Sequence, residues 1–178
     1  MRRLCFMLIS VALFLSYGCS HKKTYNEVVK DPVTGIDILR GYANADGLKV
    51  SFFREYYLKG LETYQGDSQV LTDLSVKLKD VKFVLVMGTW DDQSKYQVPR
   101  FMAMLFSVKG YDPTVSQNVE IICIDSKYQA GSIKLEDIKN DSLPVVKIYK
   151  KGEQIGEIKG IPSEPIELAV ANILNIKR

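Results

Sequence analysis

Read for the spacing of apolar and polar positions, the chain divides into a short apolar start, a polar stretch, and a patterned body. From Leu48 to Tyr64, Phe53, Tyr57, Leu61 and Tyr64 recur at helical spacing and fall on one face. Five aromatics, Phe52, Phe53, Tyr56, Tyr57 and Tyr64, crowd this stretch. Aromatics at that spacing predict a helix packed on a sheet; a binding platform is the other reading. Gln65 to Ser68 breaks the pattern, and Val70, Leu71, Leu74 and Leu78 predict a second helix ending near Asp80. Lys82 to Gly88 is a short continuous apolar run, the mark of a strand covered on both faces. Ser94 to Lys109 reads as a helix with an apolar stripe of Val98, Phe101, Met102, Leu105 and Val108. Pro99 lies inside it and removes a backbone donor, which predicts a kink. Val119 to Asp125 is a second buried strand. Lys127 to Asp141 is polar, with a short helix expected near Leu135 to Lys139. Val145 to Tyr149 and Gln154 to Lys159 form a hairpin around Lys151-Gly152. Ser163 is the expected N-cap of a last helix, with Pro165 in its first turn and Ile166, Val170, Ile173 and Leu174 buried.

Two strands joined by a helix, then a hairpin, then a capping helix, define an α/β fold. The expected architecture is a central mixed sheet flanked by helices, with an N-terminal helical extension over residues 48–79. The expected domain spans 47–178.

The N-terminus carries a different signal. Arg2 and Arg3 precede a twelve-residue apolar run, Leu4 to Leu15, too short to span a bilayer comfortably. Residues 1–18 are therefore expected to be an export signal. Leu15 to Cys19 resembles the lipobox of bacterial lipoproteins. That resemblance implies lipidation of Cys19 and a protein anchored in the cell envelope. Ser16 and Tyr17 depart from the usual box, and an ordinary secretory signal is the alternative. Residues 19–46 are polar and turn-rich, with Asp31-Pro32, Gly35, Gly41 and Asp46-Gly47, and are expected to be a tether and an irregular lead-in.

Composition then excludes some classes. The formal charge is +3; without Arg2 and Arg3 the balance is 22 basic to 21 acidic residues. The cations are scattered, so no nucleic-acid partner is expected. With Cys5 in the signal and Cys19 lipidated, Cys123 stands alone and no disulfide staples the domain. Stability must come from core packing, which this length can supply. Cys123 lies in an apolar strand and reads as a core thiol; a lone redox cysteine is the alternative.

The candidate chemistry sits at the end of the first predicted strand, in Gly88 to Pro99. Trp90 is followed by Asp91, Asp92, Gln93, Ser94 and Lys95, and Pro99 stands nine residues after the tryptophan. Downstream, LPVVKIYKKGEQIG supplies Pro144 ahead of a strand and the Lys151-Gly152 turn. This arrangement resembles the thioredoxin-like family over Lys82 to Ile176, and is especially similar to exported Bacteroides-type members. The family signature is Trp-Cys-x-x-Cys-Lys with a helix-kinking proline. Here the first cysteine position holds Asp91 and the second holds Ser94.

The departure decides the chemistry. A thiolate must attack a disulfide and a second thiol must resolve the product; neither a carboxylate nor an unactivated serine does this. The resemblance thus implies a degenerate site, with no catalytic residue, metal or cofactor assigned. Asp91 or Asp92 at a helix start reads as an N-cap worth ~0.5–1 kcal/mol. Paired acid/base carboxylates or a metal site are the alternatives, with Asp112 and Asp125 as further acids. The only histidine, His21, lies in the tether. The resemblance also implies a groove at Trp90, Asp91, Asp92, Ser94, Leu143 and Pro144 that takes an extended polypeptide, with a cis bond before Pro144. Retention of Trp90 and Pro144 for the fold alone is the other reading. The expected function is a redox-inactive envelope lipoprotein acting as a polypeptide-binding or accessory module. The alternative is a thiol–disulfide oxidoreductase of envelope redox homeostasis. The sequence specifies no oligomeric state.

Overall fold

A computed structural model describes residues 23–115, 117–135, 138 and 142–176. The export signal of residues 1–18 and the Cys19 lipidation site lie outside the described residues. So does most of the short helix expected at 135–139.

The chain forms a mixed α/β structure around one six-stranded sheet. Its strands are β1 (Glu27–Lys30), β2 (Asp37–Ala43), β3 (Val81–Met87), β4 (Val119–Cys123), β5 (Val145–Lys150) and β6 (Glu153–Lys159). They lie in the order β1-β2-β4-β3-β5-β6. The β3–β4 pair is parallel and every other pair is antiparallel. The helices are α1 (Ser51–Thr63), α2 (Ser68–Lys77), α3 (Asp92–Ser107) and α4 (Ile166–Ile173), with short 3-10 turns at Gly47–Lys49 and Leu78–Asp80.

The largest correction concerns residues 19–46. The expected tether and irregular lead-in give way to the β1–β2 hairpin over Glu27–Ala43, and β2 joins the main sheet through Gly41↔Cys123 and Ala43↔Ile121. Ile38 and Leu39 are fully buried. The pattern was there to read: two short apolar runs flank Asp31-Pro32-Val33-Thr34-Gly35, a turn signal.

The alternation of β3 separates two layers. Phe83, Leu85 and Met87 face one core, which also holds Phe53 and Tyr57 of α1, Leu74 of α2, Phe101 and Leu105 of α3, and Val170 of α4. All four helices therefore bury their stripes on the same face of the sheet. Val86 faces the other side, where Ile122, Ile124, Ala130, Ile138, Leu143 and Val145 form a smaller cluster under the chain that follows β4. Lower on that side Lys82 is exposed and Val84 half-buried, so the expected double coverage of β3 holds only for its upper half.

Helix α3 runs through Pro99. Gly60 of α1 lets the two helices approach there, because a Cβ at Gly60 would collide with the Pro99 ring. The β5–β6 turn places Lys151 and Gly152 at φ of 53° and 86°, as a two-residue primed hairpin turn requires. Ser163 does not cap the last helix: Pro165 occupies the N-cap position with no side-chain cap. A hydrogen bond from the Tyr64 hydroxyl to Glu167 (3.0 Å), and one from the Asp67 amide to Glu167 (3.1 Å), tie this end to the turn before α2.

Candidate functional site

The end of β3 and the start of α3 meet at Gly88 to Ser94. Asp91 has the extended backbone of an N-cap, and its Oδ2 accepts a hydrogen bond from the Ser94 amide at 2.7 Å. This satisfies one of the free donors of the helix start and places negative charge at the positive end of the dipole, worth about 1 kcal/mol. Asp92 is fully exposed and turned outward. Its hydrogen bond to Lys95 at 2.8 Å holds its carboxyl below the usual carboxylate range. The two adjacent acids thus have separate roles, and they do not converge as an acid/base pair.

Ser94 is fully buried, and its Oγ accepts a hydrogen bond from the Gly88 amide at 3.3 Å. The hydroxyl closes the strand–helix corner rather than facing solvent. Trp90 lies half-buried across Gly88, where an added Cβ would come within 2.7 Å of the indole nitrogen, so only glycine admits the ring. The Trp90 Nε1 donates to the Ile124 carbonyl at 3.0 Å, and Tyr128 meets the ring edge-on with centroids 6.4 Å apart.

The Leu143–Pro144 bond is cis. Both residues are buried, and Leu143 packs in the same cluster as Trp90. The Gly160 amide donates to the Pro144 carbonyl at 2.8 Å and to the Ser142 carbonyl at 3.1 Å. A Cβ at Gly160 would lie 2.6 Å from Gln93 Oε1, so the first turn of α3 sits against this segment. The structure therefore brings Trp90, Asp91, Ser94, Leu143 and Pro144 to one end of the sheet. At this end Trp90 and Asp91 are half-buried, and Gln93 and Ser142 are exposed.

Two groups that sequence reasoning did not single out as site residues, Thr89 and Asp31, hold this end together. Thr89 is buried and its Oγ1 accepts from the Leu39 amide at 3.1 Å, fastening β2 to the corner. Asp31 is buried in the hairpin turn. Its carboxylate accepts from Val33 (3.1 Å) and Thr34 (2.8 Å) amides, the Thr34 hydroxyl (2.9 Å), and the Ser126 amide and hydroxyl (both 2.9 Å). Burial opposes its ionisation, yet the Ser126 and Thr34 hydrogen bonds prevail and hold the carboxyl well below the usual range. Asp125 accepts from the Lys127 (2.9 Å) and Gln129 (3.0 Å) amides. It orders the loop beneath Trp90 instead of approaching Asp91, and Asp112 is engaged by Thr114 at 2.8 Å. The local cue for Asp31 was its place ahead of Pro32 and Thr34; its partner Ser126, far along the chain, left no local trace.

Cys123 is fully buried in β4, and burial pushes its thiol up to about 12. It is a core residue. Among the described residues no group of three or more His, Cys, Asp or Glu side chains gathers as a metal site, and no helix is long and apolar enough to cross a membrane. No family model matches the chain, and no curated protein gives a significant match.

Proposed function

We propose that the chain is a thioredoxin-like protein whose redox chemistry has been removed, and that it serves the cell envelope as a polypeptide-binding or accessory module, exported and lipid-anchored through Cys19. The observation that carries this reading is the engagement of the two positions where thiols would stand. The Asp91 carboxylate caps α3 through the Ser94 amide, and the Ser94 hydroxyl accepts from Gly88. Neither group is free to act as a nucleophile, and the buried Cys123 with its raised pKa offers no substitute. Sheet order and the buried Leu143–Pro144 segment beside Trp90 support the fold part of the reading. An extended polypeptide would run along Trp90, Gln93 and Ser142, with Asp91 at the helix start.

The test is a disulfide-reduction assay with insulin and dithiothreitol, on the chain from Ser20 to Arg178. Wild type and Cys123→Ser should be equally inert, and the double variant Asp91→Cys with Ser94→Cys should gain turnover. Wild-type activity that disappears in Cys123→Ser would sink the reading. The binding half is tested by crosslinking from a photoreactive residue at Gln93 in cells; the captured polypeptide should be lost on Trp90→Ala. Mass analysis of the mature N-terminus tests the anchor separately.

A further inference from the structure

A pocket of about 850 Å³ opens on the loop-covered side of the sheet, between β1, β2 and the turn at 130–134. Its walls include Lys23, Glu27, Arg40, Tyr42, Gly131 and Lys134. Three of these six are cations and one is an acid. The acid, Glu27, stands directly across from Arg40 in the β1–β2 register, yet no ion pair joins them. Lys23 is held at the rim by Glu120 at 2.7 Å and lies over the Tyr42 ring at 4.1 Å. Lys134 is exposed.

Arg40 is the unusual member. Its side chain is half-buried, and its Nε is the one buried side-chain nitrogen or oxygen without a hydrogen-bond partner among the described residues. The Nε tucks beside Gly131, where an added Cβ would lie 3.9 Å away. Buried polar groups in folded proteins are nearly always paired, and a guanidinium removed from water without a counter-charge is costly. The buried carboxylate of Asp31, by contrast, is satisfied by five hydrogen bonds. The guanidinium also presents a planar fork that suits two oxygens of one anion, and it stays charged at all relevant pH.

We propose that this pocket is a binding site for an oxyanion group, a carboxylate or a phosphate, with Arg40 as its main contact and Lys23 and Lys134 as flanking cations. The pocket is larger than a bare ion needs, so the anionic group belongs to a larger small-molecule ligand. Glu27 tunes the site: its negative charge at the wall opposes an entering anion. The site is separate from the Trp90 end of the sheet and stands whether or not that end binds a polypeptide.

Titration of the chain from Ser20, which keeps every described element, with sodium phosphate and with sodium succinate at constant ionic strength tests this. The readout is the Arg40 Nε–H signal and the Gly41 and Gly131 amides in nitrogen–proton NMR spectra. At least one anion should give saturating shifts within about 10 mM, and the better of the two names the class. Arg40→Gln should weaken binding by about tenfold or more. Glu27→Gln should tighten it. Lys134→Gln, at an exposed position that leaves the fold intact, should weaken it about threefold and provides the test if Arg40→Gln does not fold. Shifts that stay linear for both anions, or an unchanged affinity in Arg40→Gln and in Lys134→Gln, would overturn the proposal.

Discussion

The two faces of the sheet are stabilised by different physics. On the helical face, Phe53, Tyr57, Phe83 and Phe101 are fully buried, and Phe83 meets Phe101 edge-on with centroids 5.4 Å apart. That face is held by apolar area and close packing. On the opposite face, a small cluster around Val86 and Ile122 is roofed by chain rather than by helix among the described residues. There the order comes from directed bonds: Asp31 to Ser126, Asp125 to Gln129, Thr89 to Leu39 and Trp90 to Ile124. Packing tolerates small shifts, whereas a hydrogen-bonded loop holds or fails with a single acceptor. Trp90 and the Arg40 pocket both lie against the bonded face, where geometry is specific and local opening is cheaper.

The comparison can be broken from either side. The largest effect is expected from Phe101→Ala, which should cost about 3–5 kcal/mol in urea unfolding by leaving a cavity under the helices. Asp31→Asn should cost about 2 kcal/mol, because charge-assisted bonds to the turn and to Ser126 are lost. This variant also has a pH signature. A carboxyl held below its unfolded value stabilises the fold above about pH 4 and loses that contribution as pH falls through the folded value. The acid-side fall in stability should therefore be shallower in Asp31→Asn than in wild type. Hydrogen exchange should show the 124–130 loop opening in that variant while β3 stays protected. A smaller effect, about 1 kcal/mol, is expected for Asp91→Ala from loss of the α3 cap. Asp92→Ala, at a fully exposed carboxylate, should leave the unfolding midpoint unchanged. A drop for Asp92 as large as that for Asp91 would contradict the separate roles assigned to the two acids.

Much of the helical face was legible in the chain. The stripes of α1 and α3, the apolar run of β3 and the Lys151-Gly152 turn depend on spacing and on local backbone chemistry. That Asp91 and Ser94, and no cysteine, follow β3 was also legible, because it depends only on residue type. The bonded face was not. The hairpin over 27–43 left a local turn signal, but the pairing of β2 with β4 is made about 80 residues away in sequence. The same holds for the carboxylate of Asp31, which reads as a surface turn until Ser126 arrives.

What the sequence determined alone, then, is the α/β order of elements from Ser51 to Ile173 and the absence of thiols at the end of β3. Tertiary structure decided that all four helices share one face, that the lead-in becomes β1 and β2, and that Ser94 turns inward to Gly88. It also decided that the Nε of Arg40 is left without a hydrogen-bond partner among the described residues. The physical reason is range. Apolar periodicity and caps act within a few residues of one another. The partners of a buried polar group are set by which distant segments the core packing brings together.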